Sequence, residues 1–191
     1  PSPEDVETDG QTGGRTGNTC DIAGARLMQK AAVSEGGATG PIAEGGCGIA
    51  DPVRLEGVFG HGTELTFTNP VLVSCDFARV LTDWILLDVL PAGEETLGEK
   101  PVGIASGPGY QCRRRNNQPD GKLSEHALGK ALDISHLEFA NGAILSVEEH
   151  WAEAGASGQF LKQIHAAACK RFTTVLGPDA DPDHRSHIHL D

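Results

Sequence analysis

Two short segments of this chain concentrate side chains that bind metal ions. Residues 124–133 contain His126 and Asp133, and residues 184–189 end in His187-Ile188-His189. Open catalytic zinc sites use three imidazole or carboxylate ligands of this kind and leave the fourth position to water. Together the two segments predict a site for one divalent metal ion, and zinc is favoured because this mixed ligand set suits it without a thiolate.

The spacing within each segment indicates how the ligands could be held. If His126 lies in a turn that enters a strand, Gly129 lets the backbone bend and Asp133 projects from the strand toward the metal. Two imidazoles of residues 187–189 share one strand face roughly 6.5–7 Å apart, so one can bind the metal while the other faces water and substrate. His136 should point away from the metal, because three residues along a regular strand reverse the face.

The pattern of apolar and turn-forming residues predicts the elements around these segments. Alternation and turn residues predict strands at residues 64–68, 102–106, 109–115, 131–139, 143–147 and 187–191. Apolar spacings of three and four predict helices at residues 74–91 and 158–172, with a weaker pattern at 20–33. The fold class is therefore α+β, with a small antiparallel sheet that carries the metal site and helices packed on its other face.

Three turn signals should end or connect these elements. Asn69-Pro70 is expected to end the first strand, and Pro91 to end the central helix, because proline has no backbone N–H to donate. Asn141-Gly142 is expected to form a type I′ turn, because both residues tolerate positive φ. This turn would make a hairpin whose first strand carries Asp133.

Length and charge limit the classes of partner. The 191 residues amount to about one domain, and 15 Lys+Arg against 27 Asp+Glu give a formal net charge of -12. This sign argues against a surface for nucleic acid or anionic lipid. The longest strongly apolar stretch, Trp84-Ile85-Leu86-Leu87, is far shorter than the roughly 20 residues that span a bilayer. We expect a monomer with no nucleic-acid partner and no membrane insertion.

The first 19 residues differ in composition from the rest of the chain. Val6 is their only large apolar residue, and their acidic residues are Glu4, Asp5, Glu7 and Asp9. Such a segment cannot bury enough apolar surface to offset its ordering entropy. Residues 1–19 are therefore predicted to be a disordered acidic arm, with residues 20–191 as the domain. Because the chain begins with Pro1 rather than Met, a signal peptide could have been removed upstream.

The five cysteines are widely spaced, at positions 20, 47, 75, 112 and 169. No Cys-x-x-Cys pair suggests a zinc ribbon, so structural disulfides and an oxidising compartment are favoured. We expect Cys20–Cys47 across the first glycine-rich loop and Cys112–Cys169 near the metal site, which leaves Cys75 buried and reduced. The alternative is five buried thiols in a cytosolic protein, because free cysteine is a good core residue.

The order of several short motifs resembles known families. The Ser-x-His-x-x-Gly-x-Ala-x-Asp run with His-x-His resembles the zinc D-alanyl-D-alanine peptidases, whose superfamily includes hedgehog signalling domains and is allied to lysostaphin-type peptidases. More narrowly, the chain from about residue 20 to residue 191 resembles the bacterial extensin-like C-terminal domain family. The motifs behind this resemblance are Cys47-Gly48-Ile49, Tyr110-Gln111-Cys112-Arg113, Ser124-Glu125-His126-Ala127, Ala168-Cys169 and His187-Ile188-His189-Leu190-Asp191.

The resemblance implies roles for individual residues. It makes His126, Asp133 and His189 the metal ligands. It places His187 where a proton is taken from metal-bound water or the transition state is stabilised. Arg113 matches an arginine that contacts the carbonyl or carboxylate of the substrate, although a run of three arginines is also typical of a solvated strand end.

The general base stays open between several residues. Peptidases that use a glutamate base place it shortly before the last ligand, and this chain has Asp183 and His184 there instead. His184 is therefore a catalytic or substrate-side candidate beside His187.

The resemblance implies zinc-dependent hydrolysis of cell-wall (peptidoglycan) peptides that contain D-amino acids, in a periplasmic or secreted protein. One alternative is a non-catalytic, zinc-containing module that binds the cell wall. Another is an oxygen-activating iron site, which also uses two histidines and one carboxylate.

Overall fold

The computed structural model describes residues 20–27, 42–115 and 118–191, which form a mixed α+β fold. The strands are β1 (Ala25–Leu27), β2 (Ile42–Glu44), β3 (Cys47–Ile49), β4 (Pro52–Gly60), β5 (Thr63–Ser74), β6 (Pro101–Ser106), β7 (Leu132–Phe139), β8 (Ile144–Ser146), β9 (Val175–Leu176) and β10 (Ile188–Leu190). The α-helices are α1 (Cys75–Trp84), α2 (Leu90–Leu97), α3 (Val147–His150) and α4 (Ala156–Ala168). The predicted disordered arm at residues 1–19 and the later part of the weak helical pattern at residues 20–33 lie outside the described residues.

The main sheet has the strand order β1-β4-β5-β6-β7-β10-β9, with β8 paired to β7, and β2 and β3 form a separate pair. The β5–β6 pair is parallel and the other pairs are antiparallel. The predicted α+β class is confirmed. The sheet was predicted to be small and antiparallel, but in the described residues it has eight strands and one parallel pair. None of the helices in the described ranges is long and apolar enough to cross a membrane.

One hydrophobic core joins the helices to one face of the sheet. Trp84 of α1 and Phe160 of α4 are fully buried among aliphatic residues of the strands. The indole Nε1 of Trp84 donates to the carbonyl of Ile164 at 3.1 Å, which satisfies its buried N–H. Because the helices cover this face, polar side chains of the central strands must point to the opposite face.

The central helix begins as predicted but continues past Pro91. Ser74 caps α1, since its Oγ accepts from the N–H of Phe77 at 3.3 Å. A π-helical turn at Ile85–Val89 then joins α1 to α2. Pro91 lies in the first turn of α2, where its missing N–H costs little. The prediction that Pro91 ends the helix is therefore wrong.

Strand β5 also continues through its proline. The register pairs Leu55 with Val71 and Gly57 with Thr66, so only one residue of β4 faces the stretch 67–70. Pro70 lies in this bulge, where β4 requires no ladder hydrogen bond from it. The prediction that Asn69-Pro70 ends the strand is wrong for this reason.

Other predicted elements differ in detail. Residues 109–115 form an irregular segment with isolated bridges rather than a strand, and residues 25–27 form β1 rather than a helix. The β7–β8 hairpin is confirmed, but only Gly142 of its turn has positive φ, and its N–H donates to the carbonyl of Phe139 at 2.9 Å. The turn is thus a type I turn followed by a glycine bulge, not type I′. The predicted helix at 158–172 occurs as α4 and ends at Ala168.

The disulfides differ from the predicted pairs. Cys20 bonds to Cys75 and Cys47 bonds to Cys112, with Cα–Cα distances of 5.9 and 5.5 Å. Cys169 is free and exposed, because Ala168 carries the buried stripe of α4 and the next residue turns outward. Proximity within the fold therefore decides the pairing. Two disulfides are typical of proteins in an oxidising compartment.

Removing one disulfide should lower the free energy of unfolding. We expect the double variant Cys20→Ser with Cys75→Ser to lose roughly 2–4 kcal/mol, because the unfolded chain regains the entropy of a closed loop. Denaturant unfolding measures this loss, and Cys169→Ser is the matched control with a change below about 0.5 kcal/mol. Non-reducing peptide maps that link Cys169 to any other cysteine would contradict the pairing.

Candidate metal centre

Pairing of β7 with β10 brings two of the predicted ligands together. His189 lies opposite Asp133 in the register, and the flanking residues of both strands are buried in the core. Alternation therefore points Asp133 and His189 to the open face of the sheet. Nδ1 of His189 lies 2.7 Å from Oδ1 of Asp133.

His126 reaches the same place from a short 3₁₀ turn at Glu125–Leu128. Ser124 caps this turn, since its Oγ accepts from the N–H of His126 at 3.4 Å. Gly129 ends the turn with φ of 66°, and a Cβ there would lie only 2.4 Å from Cδ1 of Ile49. The predicted bend at Gly129 is confirmed, and only glycine fits it.

The imidazole of His126 is buried and fixed in one orientation. Its side chain is 3% exposed, and its Nδ1 donates to the carbonyl of Gly109 at 2.7 Å. Because Nδ1 carries the proton in this hydrogen bond, Nε2 presents a lone pair in the neutral ring. A histidine held this way is oriented to bind a metal ion through Nε2.

That nitrogen is the strongest sign that the residues fit a cation. Nε2 of His126 is buried and lies 3.2 Å from Oδ2 of Asp133, within ion-pair distance but without the geometry of a hydrogen bond. A lone pair and a carboxylate oxygen at this distance repel each other unless a cation or a proton lies between them. One ligand atom from each of His126, Asp133 and His189 lies within 4.8 Å of the others. The group could hold a divalent metal ion.

The ionisation of this group follows from its contacts. Burial alone would raise the pKa of Asp133, but its contacts with His126 and His189 lower that pKa well below the usual range of an aspartate. Burial alone would lower the pKa of His189, but Asp133 and Asp191 outweigh it and raise that pKa. Asp133 is therefore an anion, ready to bind a cation.

Asp191 is a supporting residue that sequence reasoning missed. Its Oδ2 lies 3.2 Å from Nε2 of His189, on the side of the ring opposite Asp133. Metal-binding histidines commonly donate their second ring N–H to a carboxylate in this way. The signal was the spacing of two residues from His189, which puts both side chains on one strand face.

His187 and His184 lie beside the group rather than in it. Nε2 of His187 is 3.7 Å from Oδ1 of Asp133, and burial lowers the pKa of His187 although Asp133 opposes this. The ring of His184 lies 5.2 Å from that of His187, and its Nδ1 is 2.7 Å from Oδ1 of Asp181. Asp181 was not predicted, but it caps the turn Pro182–His184 and orients this imidazole.

A cleft of about 370 Å³ opens over these residues. Arg113 lines it, with its Nε donating to Oε1 of Gln111 at 3.0 Å, and Arg115 lines it as well. Arg114 is not among the lining residues and donates to the carbonyl of Gly121 instead. The other lining residues are Ser124, Glu125, Asp133, Thr174, Leu176, Asp183, His184, His187, His189 and Asp191.

The loop that carries Arg113 is tied to the metal-binding segment. The N–H of Gln111 donates to the carbonyl of His126, and the N–H of Ser124 donates to the carbonyl of Arg113, both at 3.1 Å. The Cys47–Cys112 disulfide joins the same loop to β3. The cleft wall and the metal-binding segment therefore form one connected unit.

His136 lies on the same face of β7 as Asp133, so the prediction that it points away is wrong. The register of β7 against β6 shifts between Ile134 and His136. Before the shift the even-numbered residues 132 and 134 are buried, and after it the odd-numbered residues 137 and 139 are buried. This irregularity reverses the alternation. His136 pairs with Glu138 at 3.6 Å and is not part of the candidate metal-binding group.

Comparison with protein families places the chain. The family described as "Extensin-like protein C-terminus" matches residues 18–191, so the chain belongs to this family. Comparisons with curated proteins and with solved structures give no significant match.

Replacing any one of the three candidate ligands should remove most of the bound metal. We expect His126→Ala, Asp133→Ala and His189→Ala each to lose the metal ion, because an open zinc site needs three protein ligands and each variant keeps only two. Elemental analysis after dialysis against zinc measures the content, and His136→Ala is the matched control on the same sheet face. A variant that retains one zinc per chain would remove its residue from the ligand set.

Asp191→Asn should weaken metal binding without abolishing it. The loss of the carboxylate that accepts from His189 typically costs about 10–100-fold in metal affinity. Competition with a chromophoric chelator measures the affinity. Asp183→Asn is the control, since Asp183 lines the cleft but its side chain forms no hydrogen bond or ion pair with the three candidate ligands among the described residues. Equal affinities for the two variants would show that Asp191 plays no supporting part.

Proposed function

We propose that this protein is a zinc-dependent hydrolase of peptide or amide bonds in cell-wall peptides that contain D-amino acids, and that it works in the periplasm or outside the cell. The observation that carries the proposal is the group of His126, Asp133 and His189 under an open cleft, in which the buried Nε2 of His126 lies 3.2 Å from Asp133 without a hydrogen bond. The resemblance to the zinc D-alanyl-D-alanine peptidases supports the choice of reaction and substrate. The two disulfides agree with the compartment.

In this proposal His126, Asp133 and His189 hold the zinc ion. When bound, zinc lowers the pKa of its water toward about 7 and polarises the carbonyl of the scissile bond. Gly109 and Asp191 keep the two imidazoles oriented through hydrogen bonds to their second nitrogens.

His187 is the proposed proton carrier. Its imidazole lines the cleft and its Nε2 lies 3.7 Å from Oδ1 of Asp133, next to the three ligands without displacing any of them. A positioned imidazole of this kind can accept a proton from attacking water and pass it to the leaving amine. His184, oriented by Asp181, is the second candidate for this task.

Arg113 is the proposed substrate contact. It lines the cleft, and the loop that carries it is bonded to the segment of His126. A guanidinium there suits the substrate carbonyl or carboxylate, because it supplies charge and several donors where negative charge develops.

A non-catalytic module that binds the cell wall through the same zinc site is the second candidate function. It is favoured by one departure from the peptidases, because Asp183 and His184 stand where a glutamate base is placed. An iron site of the oxygen-activating type has the same ligand set, and metal analysis of the purified protein separates it from the zinc proposals.

His187→Ala should keep the metal and lose turnover. We expect the loss to be about 10²–10⁴-fold, which is typical of a removed acid or base, with zinc content and fold unchanged. Mass spectrometry of fragments released from isolated peptidoglycan measures turnover, and His136→Ala is the control. Cleavage by His187→Ala at the parental rate would contradict the role of His187 as proton carrier and would make His184 the candidate for that role. A parent protein that binds zinc and releases no fragment would favour the wall-binding module.

A further inference from the structure

A second cavity of about 370 Å³ lies on the other side of edge strand β9 from the metal centre. Leu176 of β9 lies opposite His189 and lines the metal cleft, whereas Val175 lies opposite Leu190 and lines the second cavity. Neighbouring residues of a strand point to opposite faces. The two cavities therefore share one strand as their common wall.

The second cavity combines an aromatic wall with polar groups. The ring of Trp151 packs edge-on against that of His165, with centroids 5.2 Å apart and an interplanar angle of 78°. Gly177 lies against both rings, and a Cβ there would come within 3.2 Å of each, so the chain passes close to them. Lys162 and Asp179 complete the polar part of the wall.

The polar groups of this cavity have free hydrogen-bonding capacity. The solvent-exposed side chains of Lys162 and Asp179 form no hydrogen bond or ion pair within the described part of the chain. The Nε1 of Trp151 also has no partner there, but it is closed off from solvent behind the cavity wall. Burial lowers the pKa of His165 although Asp179 opposes this, so its imidazole is a neutral donor and acceptor at neutral pH. Unpaired donors and acceptors around an apolar wall are typical of a small-molecule site.

We propose that this cavity binds an N-acetylated amino sugar of a glycan strand. One cation and one anion give no preference for a charged ligand, whereas a sugar ring offers an apolar face to the aromatic wall and hydroxyls to the polar groups. The acetamido group supplies a carbonyl for the Lys162 ammonium and an N–H for the Asp179 carboxylate. The choice of an amino sugar rests on the proposed function, in which the peptide that enters the metal cleft is attached to such a glycan.

The two tryptophans allow a direct test by NMR. We expect the trimer of N-acetylglucosamine to shift the indole N–H signal of Trp151 with a Kd of about 1 mM, a weak small-molecule affinity. The indole signal of Trp84 is the internal reference, because its N–H is already bonded to Ile164. A glucose trimer without acetamido groups should bind at least about tenfold more weakly, and equal binding would overturn the amino-sugar assignment.

Variants at exposed positions separate a built site from a chance contact. Lys162→Ala and Asp179→Asn should each weaken binding of the amino-sugar trimer by about tenfold, the usual loss for one hydrogen bond to a charged group. Lys170→Ala removes an exposed charge just beyond α4, outside the residues that line the cavity, and should leave binding unchanged. Unaltered affinity in both cavity variants, or no shift of the Trp151 signal, would overturn the proposal.

The test does not depend on hydrolysis. The trimer carries no peptide, and binding should persist in Asp133→Ala, which lacks a metal ligand in another cavity. Trimer binding in a protein that releases no peptide from the wall would contradict the hydrolase and leave the sugar site standing. Peptide release without trimer binding would overturn the sugar site and leave the proposed hydrolase standing.

Discussion

The register between β7 and β10 is the constraint on which the candidate metal centre depends. A shift of one residue would move Asp133 or His189 into the core and break the group. Four buried aliphatic side chains prevent that shift, because Leu132, Ile134, Ile188 and Leu190 have their places on the helix-covered face. The polar chemistry of the open face is therefore held in position by apolar packing on the other face.

The remaining ligand depends on backbone groups rather than on side-chain packing alone. His126 is oriented by the carbonyl of Gly109 and by a turn that only a glycine at position 129 can end. The segment that supplies this carbonyl also carries Arg113 and is joined to β3 by the Cys47–Cys112 bond. One short irregular segment thus couples the orientation of a ligand, the wall of the cleft and a covalent crosslink.

The candidate metal ligands were easier to predict from the sequence than the disulfides and the element boundaries around them. A metal site in these two segments could be predicted because residue types and spacing are local properties of the chain. The family resemblance then implied His126, Asp133 and His189 as its ligands, and the structure brings these three together. The disulfides could not be predicted, because Cys20 meets Cys75 only through packing of distant elements. Pro70 and Pro91 do not end their elements, because a bulge and a π-helical turn accommodate the missing N–H groups. His136 changed face because one register shift reverses the alternation of a strand.

The shortness of β9 and β10 has a consequence for the dynamics of the site. These strands contain two and three residues, and β9 lies at the edge of the sheet. Short segments near an edge open locally at a lower free-energy cost than the rest of a sheet. Opening there would carry His189 and Asp191 away from Asp133. A metal ion that binds only the closed arrangement would stabilise that arrangement by mass action. The ion would then hold this end of the sheet together in addition to any part it takes in a reaction.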